Sequence, residues 1–219
     1  MILFGSPLSP FARKVMVFAD EKGIALEVRP TGGASPDPQF VAASPFRKMP
    51  ALADGDYTLA DSTAIVHYLE AKHPEPALIP TDAQERGRAV WFDEFADTIL
   101  FDCGRKMFFN RIVAPLFFKR EGDTEAADKA EREELPPVLD YLETVVPDAG
   151  GFLVGDRLTL ADIAVASPFA NFIHLDYEID RNRHGRVAAY VESMLARPSF
   201  ARLLEGEKAF IANARSQTA

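Results

Sequence analysis

The chain has 219 residues, 47% of them hydrophobic and 26% charged, the balance of a globular protein with a sizeable core. Its 33 acidic against 24 basic residues leave a formal charge of -9, which disfavours non-specific binding to nucleic acid or anionic membrane but leaves room for a local basic pocket. The single cysteine, Cys103, excludes an internal disulfide; His67, His73, His174 and His184 are too scattered for a metal site, and no stretch reaches the ~18 consecutive apolar residues of a membrane span.

Met1-Ile2-Leu3-Phe4 is an apolar run of strand type, with no charged region before it, so no signal peptide is expected and a reducing, cytoplasmic setting is the default. Gly5-Ser6-Pro7-Leu8 breaks the run. From Pro10 to Lys22 the pattern is helical, with Phe11, Val15 and Phe18 on one stripe and Lys22-Gly23 as the stop. Leu26-Glu27-Val28 is a second strand, followed by a loop rich in Gly, Pro and Ser from Thr31 to about Pro38. Pro50-Ala51-Leu52-Ala53 is a short strand, joined by the turn Asp54-Gly55-Asp56 to Tyr57-Thr58-Leu59. A helix then opens at Asp61-Ser62, carries Ile65, Val66 and Leu69, and stops at His73-Pro74. The order β-α-β, then β-β-α, describes a compact α/β unit with a mixed sheet.

Pro74, Pro76 and Pro80 make the next stretch a linker, with Leu78-Ile79 as an apolar plug. Everything beyond reads as helical. Asp82 to about Arg111 forms one long helix carrying Val90, Trp91, Phe95, Ile99 and Leu100. The charged stretch Lys119–Glu134 is part loop and part helix start, and Val138–Val146 continues it. Thr159-x-x-Asp162 is a capping box before the apolar run Ile163–Phe172. Val187–Leu195 and Phe200–Leu204 are two further helical pieces, split at Arg197-Pro198.

Three short motifs carry chemistry. Ser9-Pro10-Phe11 sits where the first strand turns into the first helix, and proline suits a first turn because its missing N–H would have no partner there. The Ser9 hydroxyl then lies at a helix N-terminus, where free N–H groups and the helix dipole favour an anion such as a thiolate or carboxylate. Ser6 is a rival, separated from the helix by Pro7 and two more residues. Met49-Pro50 leads into a strand; it reads either as an ordinary trans turn or as a cis bond that opens the preceding backbone to a ligand. Asp61-Ser62 reads either as a plain helix cap or as an anion site in which Asp61 takes a ligand ammonium. Arg13 and Lys14, early in the first helix, read either as a source of positive potential or as a solvated rim.

Together these motifs resemble the glutathione transferase family, and Gly151-Phe152-Leu153-Val154-Gly155-Asp156-Arg157-Leu158-Thr159-Leu160-Ala161-Asp162-Ile163 is similar to that family's capping-box segment. The resemblance covers essentially the whole chain. It implies an α/β thioredoxin-like N-terminal domain over residues 1–78, a linker over 79–84 and an all-α C-terminal domain over 85–219. It implies that Ser9 is the catalytic hydroxyl, donating a hydrogen bond to the glutathione thiolate. Met49, before a cis Pro50, would hold the cysteinyl backbone, and Asp61 and Ser62 the γ-glutamyl amino and carboxylate groups. Phe11 and Lys48 complete the expected glutathione-binding set, with Lys48 or Arg47 as the glycyl carboxylate partner.

The resemblance further implies a cytoplasmic, detoxifying homodimer that transfers glutathione to a small apolar electrophile, with no metal, no nucleic acid and no membrane partner. The long first helix and the hairpin edge would lie near the two-fold. Serine rather than cysteine at position 9 argues against disulfide exchange, and Cys103 reads as a buried bystander. Phe101, Phe108, Phe109, Phe117 and Phe118 read mostly as core, with some available as an apolar wall. Arg105 and Arg111 read as exposed helix charges or as contacts for an acidic co-substrate. Asp162 and Thr159 read as structural. Two other readings remain: a different glutathione-dependent reaction, isomerisation or peroxide reduction, and a non-catalytic binding protein on the same fold.

Overall fold

The computed structural model describes residues 1–148 and 150–216, which divide into two compact units, Met1–Arg86 and Gly87 onward. In the first, four strands form a mixed sheet in the order β2-β1-β3-β4. β1 (Ile2–Gly5) pairs parallel with β2 (Glu27–Pro30) and antiparallel with β3 (Ala51–Asp54), which pairs antiparallel with β4 (Tyr57–Ala60). Gly55, at φ +60°, makes the β3–β4 turn, a conformation that costs glycine nothing.

Alternation along β1 sends Leu3 and Phe4 to opposite faces. Phe4 packs with Phe40, Ala43, Ala51 and Ala53, all buried. Phe40 belongs to α2 (Pro38–Ala43), a helix that begins where the expected loop ends and that the sequence pattern did not show. Its signal is local and short: Asp37 caps Gln39 N–H at 2.8 Å, and Pro38 takes the first helical position. Leu3 and its cross-strand partner Leu52 serve the other face, where α1 (Pro10–Glu21) and α3 (Ser62–Lys72) contribute the buried Val15, Phe18, Ile65 and Leu69.

Glu70 of α3 ties down the segment that follows the helix. Its carboxylate accepts from buried Lys22 Nζ at 2.7 Å and from the Leu78 and Ile79 N–H groups at 3.2 Å each. The apolar plug is buried accordingly.

The long helix α4 spans 83–117, beginning four residues before the second unit and running farther than the expected stop near Arg111. It contains two widened π turns, Ala96–Leu100 and Phe109–Val113. α5 spans 124–145 and carries a third, Ala130–Glu134. Two of the three lie just before Pro115 and Pro136-Pro137, residues with no N–H for the ladder, so a local widening lets the helix continue where an undistorted one would break. α5 begins at Thr124, inside the charged stretch, because Asp123 caps the Ala126 N–H at 2.9 Å.

α6 (Leu160–His174) is buried on every side except at Ile173, as befits a central core helix. α7 (Gly185–Leu195) and α8 (Pro198–Ser216) complete the unit. α8 is far longer than the expected piece Phe200–Leu204. Among the described residues, no helix is long and apolar enough to cross a membrane.

Candidate active site

Three segments that are distant in sequence end at one edge of the sheet. β1 runs into the Ser6–Ser9 turn, β3 starts after Pro50, and β4 delivers Asp61. Pairing of Phe4 with Ala51 and of Ala51 with Ala60 makes these ends neighbours. A Cβ on Gly5 would fall 2.8 Å from Ala12 Cβ and 3.9 Å from Pro50 Cβ, so glycine is what lets the first turn of α1 close onto the strands. Asp61 N–H donates to the Pro50 carbonyl at 3.3 Å, and Lys14 Nζ donates to Thr63 Oγ1 at 3.2 Å, joining the starts of α1 and α3.

Ser9 caps α1 and is half-buried, with its Oγ accepting from Ala12 N–H at 3.4 Å. An accepting hydroxyl keeps its own proton to donate. Ser6 shapes the turn: its Oγ accepts from Leu8 N–H at 3.3 Å and its carbonyl from Ser9 N–H at 3.1 Å. Phe11 is half-buried in the first turn. Arg13 and Lys14 are not a solvated rim. Both are 0% exposed, so two cations stand inside the unit within two turns of Ser9, where water screens them little.

The Met49–Pro50 bond is cis. The loop before it is latched by Ser44, whose Oγ accepts from Lys48 N–H at 2.9 Å and donates to Lys48 O at 2.8 Å. Lys48 and Arg47 are both exposed, but Arg47 takes φ 54° and donates from Nη1 to Ser35 O at 3.0 Å.

Asp61 caps α3, accepting from Ala64 N–H at 3.0 Å on one oxygen. Its φ of +86° is a strained conformation for a residue other than glycine, and such strain gathers where surrounding structure or function demands it. Ser62 follows at the first helical position and is buried. The cap reading and the anion-site reading of this pair are compatible, because the cap uses only one carboxylate oxygen.

The profile of the glutathione S-transferase N-terminal domain matches residues 3–77, and that of the C-terminal domain matches residues 108–207. Glutathione S-transferase 3 of Zea mays is 35% identical over 167 residues, covering 73% of this chain and 72% of its own. The chain belongs to the glutathione S-transferase family. The crystal structure of glutathione transferase F7 from Populus trichocarpa superposes with a TM-score of 0.80 at 26% identity, covering 94% of this chain and 98% of its own. A glutathione S-transferase from Methylobacterium radiotolerans, in complex with glutathione sulfonate, does so with a TM-score of 0.73 at 28% identity, covering 93% of each chain. The thioredoxin-like unit followed by an all-helical one is the fold of this family, as the resemblance implied.

In the helical unit of this glutathione transferase, Cys103 is buried, and burial pushes its thiol up to about 11, which keeps it inert. The phenylalanine cluster is less of a core than expected. Of its five members only Phe108 is buried, and Phe118 is 61% exposed. Phe117 stacks on Phe210 at 5.4 Å, Phe109 lies 6.0 Å from Phe118, and the Arg120 guanidinium sits over both Phe109 and Phe118. Phe210 had no sequence signal, since nothing local announces which face of α8 meets α4.

Arg111 is not an open contact for an acidic co-substrate, because Asp128 and Glu131 hold it at 2.7 and 2.5 Å. Arg105 is exposed and pairs with Asp102 at 3.1 Å. Among the described residues, no three His, Cys, Asp or Glu side chains cluster as metal ligands would.

Proposed function

We propose that this glutathione transferase binds glutathione at the sheet edge of its first unit, holds the sulfur as a thiolate beside Ser9, and transfers it to a small apolar electrophile. The observation that carries the reading is the convergence of the Ser9 turn, cis Pro50 and the Asp61-Ser62 helix start at one edge. An elongated ligand with a sulfur, a peptide backbone and an ammonium-carboxylate end finds a partner for each part there.

The assignments follow the chemistry. A thiol of pKa ~8.5 is little ionised at neutral pH, and a helix N-terminus, a hydroxyl donor and buried cations all favour its anion. The Ser9 proton goes into a hydrogen bond and is not given up. Met49 presents backbone to the cysteinyl part. Asp61 takes the γ-glutamyl ammonium on the oxygen the cap leaves over, and Ser62 with the α3 N-terminus takes the carboxylate. Lys48, exposed and without the contact that engages Arg47, takes the glycyl carboxylate. Phe11 packs beside the sulfur.

The site test is Ser62→Ala, which should weaken glutathione binding about tenfold by calorimetry, the worth of one charge-assisted hydrogen bond. Unchanged affinity removes the assignment. A serine at the sulfur also favours transfer over disulfide chemistry, so mixed-disulfide reduction should stay at background.

The same reading makes the chain a cytoplasmic homodimer. Phe46, 87% exposed, and Tyr57, 48% exposed, stand out from the first unit, and Trp91 and Ile99 show on α4. Sedimentation should report a dimer that Phe46→Glu weakens; a native monomer contradicts it.

A further inference from the structure

The second unit contains a cavity of about 840 Å³ between α6, α7, the start of α8 and the segment 177–181. That is within the range of small-molecule sites, ~300–1,000 Å³. No residue of the proposed glutathione site lines it. We propose that it binds an organic cation with an apolar body, of which an alkyl or aryl quaternary ammonium is the simplest form.

Its lining has two parts. The interior is apolar and aromatic: Phe169 meets Phe172 edge-on at 5.3 Å, and Phe172 meets Tyr177 at 5.7 Å, so the three rings are in mutual contact. Val191 of α7 and Leu204 of α8 add to the apolar lining. The mouth is acidic, with Glu178, Asp180 and Glu192 exposed around it. The one cation lining the cavity, Arg181, is ion-paired to Glu192 and so is already neutralised. Asp180 spends one oxygen on Asn182 N–H at 2.9 Å, and Glu178 has no hydrogen bond or ion pair among the described residues.

An aromatic and apolar lining with the two carboxylates Glu178 and Asp180, unpaired among the described residues, suits a large, weakly hydrated cation. The half-buried Tyr177 ring and the carboxylates attract the charge, and the apolar lining takes the hydrocarbon. Burial raises the Tyr177 phenol above its ordinary value, so that ring stays neutral. The same acidic mouth repels glutathione and other anions, which separates this site from the catalytic one.

Titration calorimetry of the full chain, saturated with glutathione, tests this with octyltrimethylammonium below its micellar concentration and with octyl sulfate and octanol as controls. The expected result is one ammonium bound per chain, with the sulfate about tenfold weaker. Glu178→Gln with Asp180→Asn should weaken the ammonium about fivefold and leave octanol unchanged. Tyr177→Leu should weaken the ammonium by about the same factor and octanol less. Ala188→Phe, which puts a ring into the cavity from α7, should weaken binding of all three, with thermal melting as the check on folding. Equal affinity for the sulfate, indifference to the double charge variant, or competition by glutathione would each overturn the proposal.

Discussion

Asp162 and Asp61 both serve helix N-termini, Asp162 as the capping-box partner of Thr159 and Asp61 as the cap itself, and they use the carboxylate in opposite ways. Asp162, at the start of α6, is fully buried and accepts from Leu153 N–H, Thr159 N–H, Thr159 Oγ1–H and Tyr190 Oη–H at 2.8, 2.9, 3.2 and 2.8 Å. Every donor around it is satisfied within the unit, and no face is left for a ligand. Asp61, at the start of α3, is exposed, strained in φ, and uses one oxygen for its cap. A cap whose valences are all used holds a fold together; a cap with valence to spare, held in an unfavourable backbone conformation, is suited to hold something else. The same contrast separates the hydroxyls of Thr159, buried against Asp162, and Ser9, half-buried with its proton to give.

The largest test of that contrast is Asp162→Ala. It leaves four donors buried without a partner and should cost about 3–5 kcal/mol in denaturant unfolding, without a separate effect on glutathione affinity in the molecules that remain folded. Tyr190→Phe removes one of those donors and should cost about 1 kcal/mol by the same measurement.

Asp162 also carries a pH signature. Burial raises its carboxyl above the ordinary 3.8, so between that value and its own the native chain binds a proton that the unfolded chain has lost. Its contribution to stability is therefore full at low pH and falls as pH rises through the raised value. Asp162→Asn should flatten that part of the profile.

Asp61→Gly should do the reverse of Asp162→Ala. Glycine relieves the φ of +86°, a gain of about 0.5 kcal/mol, and replaces the aspartate cap at a cost of a few tenths, so the two nearly offset. Stability should hardly move while glutathione binding weakens; a variant that binds normally would return Asp61 to the purely structural class. Ser9→Ala should cost about 0.5–1 kcal/mol of stability and raise the bound thiol's pKa by about one unit, read from the thiolate's ultraviolet absorbance against pH. The smallest effect belongs to Cys103→Ala, which should leave transferase activity unchanged, because burial keeps that thiol protonated.

Much of the first unit was legible because its signals are local. Ser9 with Pro10, the Asp54-Gly55-Asp56 turn and the Asp61-Ser62 start each act within a few residues on backbone groups that need partners, and the structure places the strands and helices there. The Thr159–Asp162 box was legible for the same reason. α2 was missed although Asp37-Pro38 announces it, because six residues are too few to show a helical period. Two of the three π turns go with prolines inside a helical pattern, and the third, Ala96–Leu100, has no local signal in the sequence.

What the sequence by itself determined is where elements begin and end and which residue types stand at the helix starts, because caps and turns are settled by nearest neighbours. Only the tertiary structure decided the rest. It buried Arg13 and Lys14 instead of leaving them at a rim, joined Phe117 to Phe210 across 93 positions of chain, closed Arg111 into an ion-pair network, and opened a cavity behind Tyr177. Each of these depends on which faces of distant helices meet, and a face acquires a neighbour only when the whole core has packed.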